Sequence, residues 1–337
     1  MKRRTFLQTT IGAGFVGSVA PNLLLGAAKD KPNEKLNIGI IGSGGRGSAN
    51  MRGVASENIV ALCDVNGQTL AASQKKYPKA KAYFDWRKLL EDKSIDAVTV
   101  STADHCHALA AVAAMRAGKH VYCEKPLAHS VHEARVMRET FAKSKVATQM
   151  GTQIHATDNY RRVVELVQSG AIGPVREAHV WCSRTINPIG APVLERQSPP
   201  DWFHWDEWQG PAPDRYHNQG YWKGGNLNWN RRWDYGNGVL GDMGSHLIDL
   251  PWWALELKTP LTCEAHGPKA DAVACPPWMR VTWEHAARKG RAALEVPVKV
   301  VWYHGGRSKR DRPAIETGMD LGKWGNGILF VGDKGML

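Results

Sequence analysis

Three clusters in this 337-residue chain bring together side chains that can move protons and hold charge. In Gly238-Val-Leu-Gly-Asp242-Met-Gly-Ser-His246-Leu-Ile-Asp249, a helix beginning near Asp242 puts Asp242 and His246 on one face, with Asp249 a turn further. Imidazole titrates near neutrality, so His246 is a candidate acceptor for a hydroxyl proton, with Asp242 orienting it or sharing the proton. The alternative is a helix-capping aspartate beside a buried, hydrogen-bonded histidine. Glu124-Lys125-Pro126 directly follows an apolar run. A lysine there donates to a substrate oxygen and stabilises the charge that develops on it during reaction; a surface Glu/Lys pair in a turn is the competing assignment. Thr102-Ala-Asp104-His105-Cys-His107 follows another such run and is placed to border a bound cofactor. His105 and His107 have no third metal ligand nearby, so contact with a ribose or nicotinamide is expected and no metal site is assigned.

The cofactor itself is indicated upstream. Leu36-Asn-Ile-Gly-Ile-Ile41 runs into Gly42-Ser43-Gly44-Gly45-Arg46-Gly47, and a second apolar run, Ile59-Val-Ala-Leu-Cys63, ends on Asp64, 22 residues after Gly42. Strand, glycine turn, helix, strand and acid in this order make a dinucleotide site. The first glycine makes the tight turn, the second lets backbone approach a pyrophosphate, and the third lets the helix pack close to its strand. The helix N-terminus supplies amides and a positive dipole end. A carboxylate at Asp64 accepts from ribose hydroxyls and repels a 2′-phosphate, which favours NAD over NADP; Arg46 within the loop softens that preference.

The elements that must hold these groups alternate between strand and helix through the first half. Strands are expected over 36–41, 58–63, 95–101, 119–123 and 145–150, with helices over 105–117 and 130–144. This pattern predicts a parallel sheet covered on both faces. After Gln149-Met-Gly-Thr-Gln153, where Gln153 is a candidate substrate contact, a helix of about 14 residues is expected to Ser169, then a strand through Val180 to Cys182. Beyond Leu261, short strands such as 292–295 and 299–303 point to an antiparallel sheet. Between Trp202 and Trp253 lie eight of the fourteen tryptophans, among many Gly, Pro and Asn. Trp202, Trp205, Trp208, Trp222, Trp229 and Trp233 are expected mostly to pack under loops, one or two touching a sugar, with Arg231 and Arg232 nearby for acidic groups.

Length fits two domains. With 43% hydrophobic and 23% charged residues the composition is that of a globular protein. Paired arginines in Lys2-Arg3-Arg4-Thr-Phe-Leu7, a mild apolar stretch and Gly26-Ala-Ala28 read as a twin-arginine export signal over 1–28. Its removal lowers the formal charge from +12 to +9, since it carries three cations and no acid. The basic residues are scattered and not interleaved with aromatic ones, so no nucleic-acid partner is expected. No other run is long enough to cross a bilayer. Six cysteines without CxxC pairs form no disulfide framework, and Cys63 and Cys123 read as small buried hydrophobes.

The leader, the glycine turn, Glu124-Lys-Pro126 and Gly241-Asp-Met-Gly-Ser-His246-Leu-Ile-Asp249 together resemble the glucose-fructose oxidoreductase and inositol dehydrogenase (Gfo/Idh/MocA) family, from about residue 36 to the last. Trp205-Asp-Glu-Trp208-Gln-Gly-Pro-Ala-Pro213 resembles its exported bacterial branch. The resemblance implies an α/β protein: an N-terminal Rossmann domain with a doubly wound parallel sheet over 34–153, then an α/β domain with an open, largely antiparallel sheet over 154–337, incomplete at its C-terminal end. It implies that Lys125, Asp242 and His246 are the catalytic group, that Lys125-Pro126 is cis, and that the protein forms a homo-oligomer. The expected activity is that of an exported, periplasmic NAD(P)-dependent oxidoreductase acting on a secondary hydroxyl of a sugar, cyclitol or glycoside, with the nicotinamide tightly held. An NAD-dependent glycosidase working by oxidation and elimination, and a non-catalytic sugar- or nucleotide-binding module, are the alternatives.

Overall fold

The computed structural model describes residues 35–185, 193–288, 294–305, 312–318 and 320–337. The expected leader, residues 1–28, lies outside them. Six strands, β1 (Asn37–Ile41), β2 (Asn58–Cys63), β3 (Lys81–Tyr83), β4 (Ala97–Val100), β5 (His120–Glu124) and β6 (Thr148–Gly151), pair in parallel in the order β3-β2-β1-β4-β5-β6. The order reverses between β1 and β4, which opens a crevice at the carboxyl ends of those strands. Central strands are buried on both faces, so β1 and β4 are nearly continuous apolar runs. Ile41, Val98, Val100 and Val121 pack beneath α4 (Asp104–Arg116), while Ile38, Ile40 and Leu62 pack with Met51 of α1 (Gly45–Gly53) and Leu70 of α2 (Gly67–Lys76). Strand β3 escaped the sequence pattern because it is three residues at the sheet edge, mostly exposed.

A second six-stranded sheet follows, in the order β12-β11-β7-β10-β9-β8. It comprises β7 (Val175–Cys182), β8 (Thr262–His266), β9 (Met279–His285), β10 (Val298–His304), β11 (Asn326–Gly332) and β12 (Gly335–Met336). Only β7 and β10 pair in parallel; the other four pairings are antiparallel. Side chains alternate along each strand. Val180, Cys182, Val281 and Trp302 face a helix, α9 (Gly238–Leu247), whereas Trp181, Val301, Tyr303 and Leu329 form a cluster with Leu321. The strand expected over 292–295 is not found: Leu294 and Glu295 sit in a short turn, and residues 292 and 293 lie outside the described residues. The helix expected up to Ser169 is shorter, Asp158–Gln168, because Gln153–Ala156 form a separate 3₁₀ turn. The described residues between 35 and 337 form one compact unit.

Candidate active site

The turn after β1 is shaped by contacts that only glycine allows. Gly42 has φ +81°, and a Cβ there would lie 2.4 Å from the Ser101 carbonyl oxygen at the end of β4. At Gly47 a Cβ would lie 1.8 Å from the Gly42 carbonyl oxygen, so α1 starts pressed against the strand that feeds it. The first turn of α1 therefore presents amides without intrahelical partners at the crevice, where Gly42, Gly44, Gly45 and Arg46 line a cavity of about 630 Å³. Asp64 lies on the same wall. Its Oδ2 accepts from the Ser43 and Gly44 amides (2.9 and 3.2 Å) and from Ser43 Oγ, and its Oδ1 accepts from the Asn66 amide (2.9 Å). Burial raises the Asp64 carboxyl above its ordinary value, and these four donors oppose that rise. A cradle closed by absent side chains, a helix N-terminus and an acid at the second strand fits a dinucleotide.

At the other end of the cavity the two sheets' elements meet. Lys125, just beyond β5, donates from Nζ to Asp242 Oδ1 (2.5 Å) and to the Asp242 carbonyl oxygen (2.9 Å). Lys125-Pro126 is cis. Helix α9 begins at Gly238, a turn earlier than the sequence indicates, so Asp242 is an internal helical residue and not its cap. The four-residue spacing holds: Asp242 and His246 both line the cavity, 4% and 7% exposed. Asp249 instead opens the next helix, α10 (Asp249–Ala254), and accepts from His155. Asp242 Oδ2 also accepts from Arg184 Nη1, so one carboxylate lies between two cations. His246 Nδ1 is buried with no hydrogen-bond partner among the described residues. Desolvation, then the Lys125 charge, lower the His246 imidazole to about 4, leaving it neutral and able to accept a proton.

The remaining sequence-derived residues divide by position. Thr102, Asp104, His107 and Glu124 line the cavity. Arg46 does too, and its Nε donates to the buried Glu124 Oε1 (3.1 Å). His107 is a brace: its ring nitrogens lie 2.7 Å from the Pro126 carbonyl and 3.1 Å from the Thr102 carbonyl, tying the Lys125 turn to the end of β4. Six others do not line the cavity. Ser43 is buried against Asp64, Gly47 is a packing position, and His105 faces the carbonyls of Trp208 (2.9 Å) and Tyr235 (3.3 Å); burial lowers it to about 4. Gln153 is exposed on its 3₁₀ turn. Arg231 and Arg232 are also off the wall, Arg232 being buried over the Tyr221 ring (5.0 Å). Arg184, two residues past β7, is the wall arginine instead; its place at a strand end was the available signal.

Of the six tryptophans, Trp208, Trp222 and Trp229 line the cavity, while Trp202, Trp205 and Trp233 do not. The segment carrying them crosses the β2–α2 edge. His204 N–H donates to the Val65 carbonyl (2.9 Å), Gly67 N–H to the Trp202 carbonyl (2.7 Å), and His204 stacks on Phe84 at 3.8 Å. This is the edge beside Asp64, so the tryptophan segment roofs that half of the crevice.

Residues 36–152 match the family model for an oxidoreductase family's NAD-binding Rossmann fold, and residues 159–291 match that for an oxidoreductase family's C-terminal α/β domain. Inositol 2-dehydrogenase of Salmonella typhimurium is 35% identical over 150 residues, 43% of this chain and 45% of that protein. A glycosyl hydrolase family 109 protein of Solibacter usitatus is 32% identical over 185 residues, 48% of this chain and 40% of that protein. The match thus spans less than half the length of either relative. Among solved structures, the WlbA dehydrogenase of Bordetella pertussis, in complex with NADH and UDP-GlcNAcA, has the same fold: TM-score 0.62 at 16% identity, covering 90% of this chain and 76% of that one.

Proposed function

The chain belongs to the Gfo/Idh/MocA family of oxidoreductases and carries its NAD-binding Rossmann domain, and from that premise we propose that it transfers hydride between a secondary hydroxyl of a sugar, cyclitol or glycoside and a tightly held NAD. The observation that carries this proposal is that the glycine turn, Lys125, Asp242 and His246 line one cavity. Bound NAD supplies the hydride acceptor. Lys125 Nζ has three N–H donors, two of them committed to Asp242; the third is left to hold the reacting oxygen and stabilise its developing charge. Neutral His246 accepts the hydroxyl proton. Asp242 and Arg184 fix the direction of the ammonium group.

Retention of the cofactor is supported by the tryptophan segment that roofs the crevice beside Asp64. Retention also suits export: a protein sent out folded, on the signal read at Lys2-Arg3-Arg4, would carry its nicotinamide from the cytoplasm and reoxidise it on a second carbohydrate. The test is native mass measurement and absorbance of the purified protein, followed by a sugar panel monitored at the reduced-cofactor band. A co-purifying nicotinamide that is reduced by one sugar and reoxidised by another is the expected result. Protein that comes out empty and needs free cofactor for every turnover refutes retention; protein that binds no NADH refutes the redox assignment.

A second reading, NAD-dependent glycosidase, is favoured by the 32% identity to the Solibacter glycosyl hydrolase family protein. Release of an aglycone from a chromogenic glycoside without net NADH selects it over a dehydrogenase.

A further inference from the structure

Asp104 is the first residue of α4 and stands at the carboxyl end of β4, on the cavity wall with Lys125, Asp242 and His246. It is 2% exposed, and its Oδ2 is buried with no hydrogen-bond partner among the described residues. The contrast with Asp242 is instructive. Asp242 is equally enclosed but has Lys125 on one oxygen and Arg184 on the other. Asp104 is in no ion pair recorded among the described residues, and the ammonium group nearest in charge, that of Lys125, is already committed to Asp242.

We propose that Asp104 is a ligand-contacting residue that works as a hydrogen-bond donor, its carboxylic acid O–H pointing at an acceptor oxygen of the bound ligand. This rests on the oxidoreductase reading above, and deepens it. The physical reason is the balance of charge. An ionised carboxylate without partners in a low-dielectric pocket is strongly disfavoured, and a second carboxylate, Asp242, faces it. Burial first, then Asp242, raise Asp104 well above its ordinary value, with Lys125 opposing. The N-terminal dipole of α4 also favours the anion, but it is the smaller effect where desolvation is complete. Around Asp104 the titratable groups are Lys125 and Cys123 from β5 and its turn, Asp242 from α9, and Cys275. The two thiols are themselves raised by burial, Cys275 to about 12, and remain neutral, so none but Lys125 offers a compensating charge. A neutral acid has one donor and no acceptor for it among the described residues; a carbonyl or hydroxyl oxygen in the cavity completes it. Two ligands bring such an oxygen, the nicotinamide carboxamide and the polyol.

The test uses the full-length protein, freed of any co-purified nicotinamide before each titration, in three forms: wild type, Asp104→Asn, which keeps a donor of the same shape, and Asp104→Leu, which keeps the shape alone. Infrared difference spectra of wild type against Asp104→Asn at neutral pH should show the carbonyl stretch of an un-ionised carboxylic acid. The band should shift to lower frequency when NADH is added if the carboxamide is the partner, or when myo-inositol is added to the NADH complex if the polyol is. NADH fluorescence titration should give Asp104→Asn an affinity within about threefold of wild type. Asp104→Leu should lose about tenfold or more, in NADH affinity for the first partner or in myo-inositol affinity for the second. No acid band, or a band indifferent to both ligands, overturns the proposal. So does an Asp104→Asn protein that binds as poorly as Asp104→Leu. If Asp104→Leu does not fold, the band and the Asp104→Asn titration still decide. Wild-type protein that binds no NADH refutes the oxidoreductase reading separately, whatever the band shows.

Discussion

Replacing glycines of α1 and its entry turn by alanine separates three physical effects at neighbouring positions. At Gly47 the new Cβ would meet the Gly42 carbonyl oxygen at 1.8 Å, where real contacts stay above 3.0 Å, and the Gly42 carbonyl carbon at 2.8 Å. Both obstacles are backbone, so the helix must back away from β1 by more than an ångström or the turn must open. Overpacking of this kind costs about 3 kcal/mol. At Gly45 nothing lies within 4 Å, but φ is +48°, so alanine pays only the left-handed penalty of about 1–2 kcal/mol. At exposed Gly53 nothing lies within 4 Å and φ is ordinary, so alanine should stabilise by about 0.5 kcal/mol. At about 2.1 cal/mol/K per residue, a protein of this size shifts roughly 1.5 °C per kcal/mol, so Tm should fall about 5 °C for Gly47→Ala and rise slightly for Gly53→Ala. The helix N-terminus carries the amides proposed to face the phosphates, so Gly47→Ala should also weaken NADH by roughly 10- to 100-fold, read by fluorescence titration. Gly53→Ala should bind normally. A Gly47→Ala protein with wild-type Tm and wild-type NADH affinity would refute the close approach as the basis of the cradle.

Lys125→Met, which keeps the stem and removes the charge, should lower kcat about 100-fold or more while leaving NADH affinity within a fewfold, as expected for a donor that acts on the reacting oxygen. Arg184→Met should remove one of the two cations that face Asp242 and lower kcat about 10-fold, with Tm measured alongside to exclude unfolding. Because His246 is lowered to about 4, the acid limb of kcat/KM should lie near 4 and not near 6.5; a limb at 6–7 assigns the base elsewhere. The same depression sets the sign for stability. His105 and His246 bind protons more readily unfolded, so their contribution is complete above about 6.5 and is lost as pH falls toward 4, seen as a decline in Tm over that range.

The parallel sheet was legible because its strands are apolar runs ended by glycine or charge, and five of six lie within a few residues of their expected bounds. The glycine turn, Asp64, Lys125, Asp242 and His246 were legible for a related reason: each stands at the carboxyl end of a strand or on a short helix whose spacing is local. What failed was long-range. His105 and His107 lie two apart, and the helical turn sends one toward Trp208 and Tyr235 and the other toward Pro126 and Thr102. Arg184 and Arg232 both lie outside the motifs, and only Arg184's place just past a strand end set the one that reaches Asp242 apart from the one buried over Tyr221. The tryptophan segment carried composition but no address; its place over the β2–α2 edge is fixed by two backbone hydrogen bonds to Val65 and Gly67.

The groups that align the site are polar, and that has a mechanical consequence. Five of the apolar clusters stay within one sheet or the other, the sixth packs the aromatic segment of Phe203, Trp205, Tyr221 and Tyr235 against Val65 beyond β2, and the cavity-lining Lys125, Asp242 and His246 come from both halves. Across the seam run the Lys125 contacts to Asp242, the Asn237 side-chain amide donating to the His129 carbonyl (2.9 Å), and His105 between the Trp208 and Tyr235 carbonyls. Apolar packing is tolerant of small slides, whereas a charge-assisted hydrogen bond weakens within tenths of an ångström and specifies direction. Placing such bonds at the seam lets the two sheets meet in one register, with the ammonium group and the imidazole brought to the same cavity. The arrangement has a cost in desolvation that a hydrophobic seam would avoid. It is offset in geometry, since the proposed hydride transfer tolerates far less misplacement than folding does.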